Sequence, residues 1–158
     1  MAIKAYLSMK GQRQGQIKGG VTEPGRLDEI AVYDLAYSLV SPRDSATGLP
    51  TGKRLHHPVQ ITCPTGLQTP KVFQAAATNE NLTEFKIDFW LPNRNGISTN
   101  AFRLELTNGS VAEFDLNLEQ EGGVEELLDQ YSFTFQKIAL TWLSGGISAT
   151  DDWVSPTA

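Results

Sequence analysis

The sequence predicts a mainly β protein, a small antiparallel β-barrel or β-sandwich with one short flanking α-helix. Three observations predict this fold class. Apolar and polar residues alternate with period two along most of the chain, which is typical of strands with one buried face. Turn-forming pairs such as Asn108-Gly109 separate these runs. The clearest helical stripe of apolar residues is a single short one near residue 70.

The first strands are predicted over Ala2–Met9 and Asp28–Val40, with a short one over Pro58–Thr62. The loop Ser41–Lys53 between them is rich in Gly, Pro, Ser and Thr, and structureless connections of this length are often functional or mobile. The long second strand has an apolar face that we expect to point into the core. That face consists of Tyr33, Leu35, Tyr37 and Leu39.

The helix is predicted to begin at Thr69-Pro70, because threonine caps helix N-termini and proline suits the first helical position. A helix of about ten residues is marginal alone, so we expect it to dock on the sheet. A second helical turn is predicted over Val124–Asp129. The apolar stripe of the first helix consists of Val72, Phe73, Ala76 and Ala77.

Three strands in the second half predict an antiparallel meander. Pro92–Ser98 makes its first turn, and Asn108-Gly109 is expected to make a tight type I′ hairpin. The last strand, Tyr131–Trp142, changes phase near Gln136, which predicts a β-bulge. The meander strands are Glu84–Leu91, Ala101–Thr107 and Ser110–Leu118.

Size and composition limit the function. A length of 158 residues suits one domain, and hydrophobic and charged fractions of 40% and 20% are ordinary for a globular protein. The net charge of −5 comes without a basic stripe, so nucleic acid is not expected as a partner. Membrane insertion is not expected either, because no apolar run approaches the ~20 residues needed. One cysteine excludes an internal disulfide, and the N-terminus lacks the apolar stretch of a signal peptide.

No enzymatic, cofactor or metal site is predicted. His56 and His57 are adjacent, so on a strand they would point to opposite faces and could not chelate one metal together. We expect His56 to make a structural hydrogen bond and Cys63 to be buried and inert. An acidic cluster is expected to be a solvated face. It consists of Glu119, Glu121, Glu125, Glu126 and Asp129.

Several segments stand in an order that matches one known family. Together they resemble the haemolysin-coregulated protein (Hcp) family, the tube subunit of type VI secretion systems. The resemblance extends over essentially the whole chain. The segments are Ala5–Gly11 with Gln14–Ile17, Arg54–Val59, Thr69–Ala75, Phe85–Trp90, Phe102–Thr107, Tyr131–Ile138 and Gly145–Trp153.

The resemblance implies a β-barrel with a flanking helix that assembles as a hexameric ring. Rings would stack into a tube inside a contractile sheath behind a spike, and the tube would carry effector proteins into target cells. The protein would start in the bacterial cytoplasm and be secreted without a signal peptide. Residues 1–143 would form the single domain and residues 144–158 a C-terminal tail.

Two sets of residues are candidates for surfaces of such a tube. Asp34, Ala36 and Ser38 lie on the polar side of the predicted long strand, and simple solvent exposure is the alternative to a lumen-facing role. The loop would reach the neighbouring ring, and a merely flexible loop is the alternative. Its candidate residues are Ser41, Pro42, Arg43, Asp44, Gly48, Leu49, Pro50 and Lys53.

Two other function classes stay open from the sequence. A monomeric β-sandwich binding module, for example for a carbohydrate, would use an exposed Trp90 as a stacking platform. A small hydrolase would depend on Cys63 activated by His56.

Overall fold

A computed structural model describes residues 3–153. For Glu121 it describes the backbone but not the side chain. The fold is mainly β, with one helix in the described part of the chain, as the sequence predicts. None of its helical residues form a span that is long and apolar enough to cross a bilayer. The elements are β1 (Lys4–Gly11), β2 (Gly15–Gln16), β3 (Ile30–Val32), β4 (Asp34–Ala36), β5 (Leu39–Val40), β6 (Leu55–His56), β7 (Val59–Pro64), α1 (Thr69–Thr78), β8 (Leu82–Pro92), β9 (Ser98–Thr107), β10 (Ser110–Glu121), β11 (Val124–Thr134), β12 (Lys137–Trp142) and β13 (Ile147–Asp152).

Two antiparallel sheets pack face to face as a sandwich. The large sheet has the order β13-β12-β9-β8-β1-β2, with β3 also paired to β1. The small sheet has the order β10-β11-β7-β4, and β5 and β6 form a separate two-stranded ladder. Of the two architectures that the sequence allows, the structure therefore has the sandwich.

The core lies between the two sheets. Leu7 and Ile87 come from the large sheet and Ile61 from the small sheet, and all three are buried. The rings of Phe85 and Phe133 meet across the sandwich edge to face, with centroids 4.7 Å apart. Buried aromatic residues of this size each contribute several kcal/mol, roughly 3–5 on truncation to alanine, so this pair is central to the fold.

The predicted long strand Asp28–Val40 is wrong, because the structure divides it into β3, β4 and β5. β3 pairs with β1 in the large sheet, whereas β4 pairs with β7 in the small sheet. The chain crosses between sheets at Tyr33, whose side chain is 60% exposed although it belongs to the predicted apolar face. Alternation alone does not reveal that a strand changes sheets.

The predicted meander is only half correct. β8 and β9 pair through the predicted turn, where the Asn93 side chain accepts hydrogen bonds from the backbone N–H groups of Asn95 and Ile97. Asn108-Gly109, however, is a corner at which the chain leaves the large sheet for the small one. Asn108 has a φ of 52°, but Gly109 does not share a positive φ, so the type I′ hairpin is absent at this site.

The phase change in Tyr131–Trp142 is also a change of sheet rather than a bulge within one strand. β11 ends at Thr134 in the small sheet and β12 begins at Lys137 in the large sheet. The predicted helical turn over Val124–Asp129 is wrong, since these residues are the first half of β11. The tight hairpin lies just before them, where Gly122 and Gly123 have φ values of 59° and 82°.

The helix matches its prediction within one residue. Gln68 rather than Thr69 is the cap, and its side chain makes no capping hydrogen bond. The helix packs on β10 through an edge-to-face contact of Phe73 with Phe114. Part of the expected tail, residues 147–152, forms β13, which pairs with β12 along its whole length.

Candidate functional site

The small sheet has a polar face that points away from the core, called here the outward face. Two of the three lumen candidates lie on it, because Asp34 and Ala36 are exposed residues of the edge strand β4. They flank Leu35, which turns toward the core. Ser38 lies just beyond the strand, is exposed, and accepts a hydrogen bond from the His57 backbone N–H at 3.0 Å through its carbonyl oxygen.

A shallow groove runs across the outward face. Strand pairing places Asp34 beside Thr62, Thr62 beside Gln130, and Gln130 beside Asp115, in one row across four strands. A second row contains Ala36, Gln60, Ser132 and Glu113. All eight of these residues line the groove.

The loop of the sequence prediction is an ordered hairpin, called here the arm (residues 39–56). At its base, Leu39 pairs with His56 in the β5–β6 ladder. Farther out, Arg43 and Pro50 form a bridge, and the Thr51 N–H donates to the Pro42 carbonyl at 3.0 Å. The arm is therefore a built element, not a featureless connection.

Asp44 organises the tip of the arm. Its backbone N–H donates to the Leu49 carbonyl at 2.9 Å, and its carbonyl accepts from the Gly48 N–H at 2.8 Å. Its side chain accepts from the Ala46 N–H at 2.8 Å, a local turn typical of aspartate. Gly48 has a φ of 74°, a left-handed conformation that favours glycine.

All eight loop candidates lie on the arm. Of these, Pro42 and Asp44 are half-buried and the other six are exposed. The arm also exposes apolar side chains, and exposed apolar residues that form a patch mark interaction sites. These side chains are Leu39, Val40, Leu49 and Leu55.

The base of the arm is attached to the C-terminal strand by a buried histidine. His56 is 2% exposed; its Nε2 contacts Asp151 Oδ2 at 2.6 Å and its Nδ1 contacts the Tyr37 hydroxyl at 2.7 Å. Since a carboxylate only accepts, Nε2 carries the proton and Tyr37 donates to Nδ1 in the neutral ring. Trp153 packs edge-on against the imidazole, with centroids 5.2 Å apart. The predicted structural role of His56 is confirmed.

Asp151 is the centre of this attachment. Arg54 Nε donates to its Oδ2 at 2.5 Å, and that hydrogen bond is the main reason why the pKa of the Asp151 carboxyl lies below its ordinary value. Burial, and secondarily the nearby Asp151 charge, raises the pKa of the Tyr37 hydroxyl. The arm is thus fixed to β13 by ionic and aromatic contacts.

The sequence analysis missed an extension of the β10–β11 hairpin beyond the sheet. β7 pairs with β11 only from Leu128 to Phe133, so the hairpin continues alone toward Gly122. The side of β10 on which Phe114 contacts Phe73 of α1 also exposes three leucines of this hairpin. Their exposures are 54% for Leu116, 70% for Leu118 and 45% for Leu127. The three leucines are called here the leucine patch.

Asp129 was expected to be solvated, and that expectation is wrong. It is fully buried and accepts hydrogen bonds from Thr65 at 2.7 Å, from Thr69 at 2.5 Å and from the Tyr131 hydroxyl. A side chain that binds three hydroxyl groups joins β11 to the start of α1. The remaining described members of the acidic cluster, Glu119, Glu125 and Glu126, are exposed as expected.

The side chains considered for chemistry have structural environments. Cys63 is fully buried, as expected, and burial raises the pKa of its thiol to about 12. Its partner in the hydrolase hypothesis, His56, uses both ring nitrogens elsewhere. Trp90 is not an open platform, because the Arg26 guanidinium lies 4.0 Å from its ring centroid. Within residues 3–153, no three His, Cys, Asp or Glu side chains are grouped as a metal site.

Comparison with known proteins identifies the family. A family model described as "Type VI secretion system effector, Hcp" matches residues 6–142, which is most of the chain. The chain belongs to this Hcp family. The "Major exported protein" of Pseudomonas aeruginosa is 29% identical over 100% of this chain and 99% of its own length.

Solved Hcp structures share the fold. One titled "Crystal structure of Hcp protein" has a TM-score of 0.90 and 23% identity, and the match covers 98% of this chain and all of that one. A double mutant of the Hcp1 protein from E. coli EAEC 042 has a TM-score of 0.84 and 28% identity, with 96% and 99% covered. The secreted protein Hcp3 from P. aeruginosa has a TM-score of 0.81 and 23% identity over 98% and 100%.

Membership decides between the tube subunit and the monomeric binding module. Hcp proteins are structural, secreted proteins of the type VI secretion tube, and hexameric assembly is known for them. The tube-subunit prediction is therefore confirmed over the monomeric binding module.

Proposed function

We propose that this chain acts in the tube as a hexameric ring whose subunits touch through the leucine patch, whose rings stack through the arm, and whose lumen is lined by the outward face. The family match over residues 6–142 is the observation that carries the proposal. All three surfaces lie within the matched residues, which supports a role for them in the assembly.

A closed ring needs two different complementary surfaces on every subunit. The leucine patch supplies an apolar surface of the kind that an interface buries, since burial of apolar area stabilises by roughly 25 cal/mol per Å². It lies on a hairpin that extends beyond the sheet and can reach an adjacent subunit. We assign it to the contact between neighbours in one ring.

The arm is suited to contact with the next ring. It extends from the sandwich on a two-residue ladder, and its apolar residues and Arg43 are exposed. Its base is held by Arg54 and His56, so its direction is fixed before contact. A preorganised arm loses less conformational entropy on docking than a mobile loop would.

The outward face is suited to a water-filled lumen. Asp34, Ala36, Gln60 and Thr62 present small or polar side chains, and Ser38 continues the same edge. We propose these residues as lumen-facing, in contact with effector proteins during transport. Sheath and spike proteins of the secretion system are the further partners that this role requires.

The chain is proposed to start in the cytoplasm, to leave through the type VI system without a signal peptide, and to have no catalytic activity. The raised pKa of Cys63 supports the last point, because a nucleophilic cysteine must form a thiolate near neutral pH. Substitution Cys63→Ser should leave tube assembly and export intact, whereas a hydrolase that uses Cys63 would lose its activity.

The assembly is tested by light scattering of the purified protein, followed by negative-stain electron microscopy of the same peak. Six chains of 17.3 kDa predict about 104 kDa and a ring with a central hole. A strictly monomeric species up to the highest concentration tested, with no tubes in secreting cells, would contradict the proposal.

A further inference from the structure

The arm is anchored to a strand that lies beyond the residues matched by the family model. β13 (Ile147–Asp152) is the edge strand of the large sheet and pairs with β12, whereas the matched residues end at 142. Most of β13 is exposed, but Asp151 and Asp152 at its end are half-buried. These two residues contact the base of the arm and so join segments that are distant in sequence.

Arg54, at the base of the arm, binds β13 through two donors. Its Nε donates to Asp151 Oδ2 at 2.5 Å, and its Nη2 donates to the backbone carbonyl of Asp152 at 2.6 Å. The Arg54 side chain is only 13% exposed, so salt and water screen these charge-assisted hydrogen bonds less than they screen a surface ion pair. The arm cannot change direction without breaking them.

His56 connects the same carboxylate to both sheets. Asp151 Oδ2 accepts from His56 Nε2 as well as from Arg54 Nε. The imidazole also packs edge-on against Phe135, with centroids 5.4 Å apart, where the chain crosses from β11 to β12. Phe135 in turn lies 5.8 Å from Trp153, centroid to centroid. Arg54, His56 and Asp151 are called here the clasp.

The ladder at the base of the arm does not fix the direction of the arm by itself. It has two residue pairs, Leu39 with His56 and Val40 with Leu55. Its hydrogen bonds join the two strands of the arm to each other, and an isolated two-stranded hairpin is marginal in water. Of these four side chains, His56 alone is buried. The clasp is therefore the contact that sets the angle between the arm and the sandwich.

We propose that β13 controls ring stacking through the clasp, with Asp151 as the residue that positions the arm. The inference rests on the proposed stacking role of the arm. With the clasp closed, the arm is preorganised, and docking on the next ring costs little conformational entropy. With the clasp open, the arm keeps its ladder but takes many directions. Stacking then weakens, while the ring itself is unchanged.

The coupling between β13 and stacking is reciprocal. Docking of the arm selects the closed clasp, so stacking must stabilise the closed state by the same free energy that the clasp contributes to stacking. We therefore expect the amides of β13 to exchange hydrogen more slowly in stacked rings than in separate rings. Separation of β13 from β12 should release the arm and weaken stacking.

The test places a nitroxide spin label at the exposed tip of the arm through Ala46→Cys, since the native Cys63 is buried. Asp151→Asn keeps the size of the side chain and removes its charge. In separate rings it should increase the mobility of the label. It should also raise the concentration needed for end-to-end association, measured by sedimentation, at least about fivefold, because the arm must then be ordered on docking.

Two further variants control for folding and for charge. Arg54→Gln opens the clasp from the side of the arm, so it should have the same effect, and the two substitutions together should not add. Glu84→Gln removes one carboxylate from a surface ion pair with Lys10 and should change association less than about twofold. Circular dichroism, the unfolding midpoint and the ring mass should be close to those of the parent protein in every variant used.

A shortened arm, with residues 43–50 replaced by Asn-Gly, separates this inference from the stacking role itself. In that background Asp151→Asn should cause no further loss of stacking, because the arm has lost the tip that the clasp positions. Equal loss in both backgrounds would overturn the proposal and assign β13 to a direct contact between rings. Unchanged mobility of the label in Asp151→Asn would overturn it as well. Normal stacking by the shortened arm alone would instead contradict the stacking role of the arm, and the label would then decide the positioning role of Asp151.

Discussion

Two buried carboxylates show how single residues hold this fold together. Asp129 joins β11 to the start of α1 through three hydroxyl groups. Glu80 follows the helix and accepts hydrogen bonds from the backbone N–H groups of Arg13 and Gln14, both at 3.1 Å. Gly11 leaves room for this carboxylate, because a Cβ there would lie 1.9 Å from Glu80 Oε2 and would displace it. Both carboxylates replace water as the acceptor for polar groups that the sandwich covers.

Substitution Asp129→Ala should strongly destabilise the protein. It removes the common acceptor of Thr65, Thr69 and Tyr131. The buried Tyr131 hydroxyl and the two half-buried threonine hydroxyls then lack a partner, at a cost of about 1–3 kcal/mol for each one that water cannot reach. We expect the free energy of unfolding to fall by at least about 3 kcal/mol, measured by denaturant titration at fixed protein concentration. Glu126→Ala, on the same strand but exposed, should change it by less than about 0.5 kcal/mol. Similar small effects for both would contradict the bridging role.

Asp151 gives the fold a sensitivity to acid. Because its pKa is lowered in the folded state, its contribution to stability is complete above the unfolded value near ~4 and is lost as pH falls through the folded value. Asp151→Asn should therefore reduce the drop in the guanidinium midpoint between about pH 7 and pH 3. The exposed residue Asp34, changed to Asn, serves as the control. A pH dependence unaltered by Asp151→Asn would remove Asp151 from this role.

Element boundaries explain what the sequence could and could not predict. The sequence predicts most of the strands correctly, because a half-buried strand has an apolar period of two in whichever sheet it lies. The sequence does not predict which sheet each strand joins. The chain crosses between sheets at Tyr33, Asn108 and Gln136, where the alternation of apolar and polar residues gives no sign of a crossing. The Gly122-Gly123 hairpin was missed because β11 begins with exposed residues that alternate weakly. The two adjacent glycines are the feature of the sequence that indicates this tight turn, because glycine readily adopts positive φ.

The candidate surfaces, too, are predictable where they depend on local alternation and not where they depend on contacts between distant segments. Asp34 and Ala36 are exposed because alternation sets their side, which sequence alone can read. The groove partners Glu113 and Gln130 could not be predicted, since they come from strands whose pairing with β7 is distant in sequence. The order of the arm depends on Asp151, about 95 residues beyond His56, and on hydrogen bonds at its tip. Composition there indicated only a loop.

Shortening the arm should separate stacking from ring formation. Residues 43–50 are replaced by Asn-Gly, which closes the hairpin at the Thr51–Pro42 hydrogen bond and keeps the β5–β6 ladder. We expect ring mass near 104 kDa and weaker end-to-end association, measured by sedimentation at increasing concentration. A variant with the same arm length but Leu49→Ser tests the apolar contact alone. Normal tubes from the shortened protein would exclude the arm from stacking.

At the scale of the whole molecule, charge and apolar surface are separated. The basic residues lie in the large sheet, the arm, the helix and the loops, whereas the charged residues of the small sheet are all acidic. The leucine patch and the acidic outward face are the two sides of the same β10–β11 hairpin. One hairpin can therefore contact a neighbour with its apolar side while its polar side stays in water. This separation suits a subunit that must bind its neighbours in a ring through an apolar surface and present a hydrated surface to the lumen.

The last prediction tests that division through Leu118→Lys. Leu118 is 70% exposed in the single chain, so the substitution should leave the unfolding midpoint of the monomer nearly unchanged. In a ring the new ammonium would be buried against an apolar neighbour, which is strongly unfavourable. We expect the light-scattering mass to shift from about 104 kDa toward 17.3 kDa at the same concentration. Ile97→Lys, at a similarly exposed position in the β8–β9 turn, should keep the ring. If Leu118→Lys stays hexameric while Ile97→Lys dissociates, the ring contact belongs to that turn and not to the leucine patch.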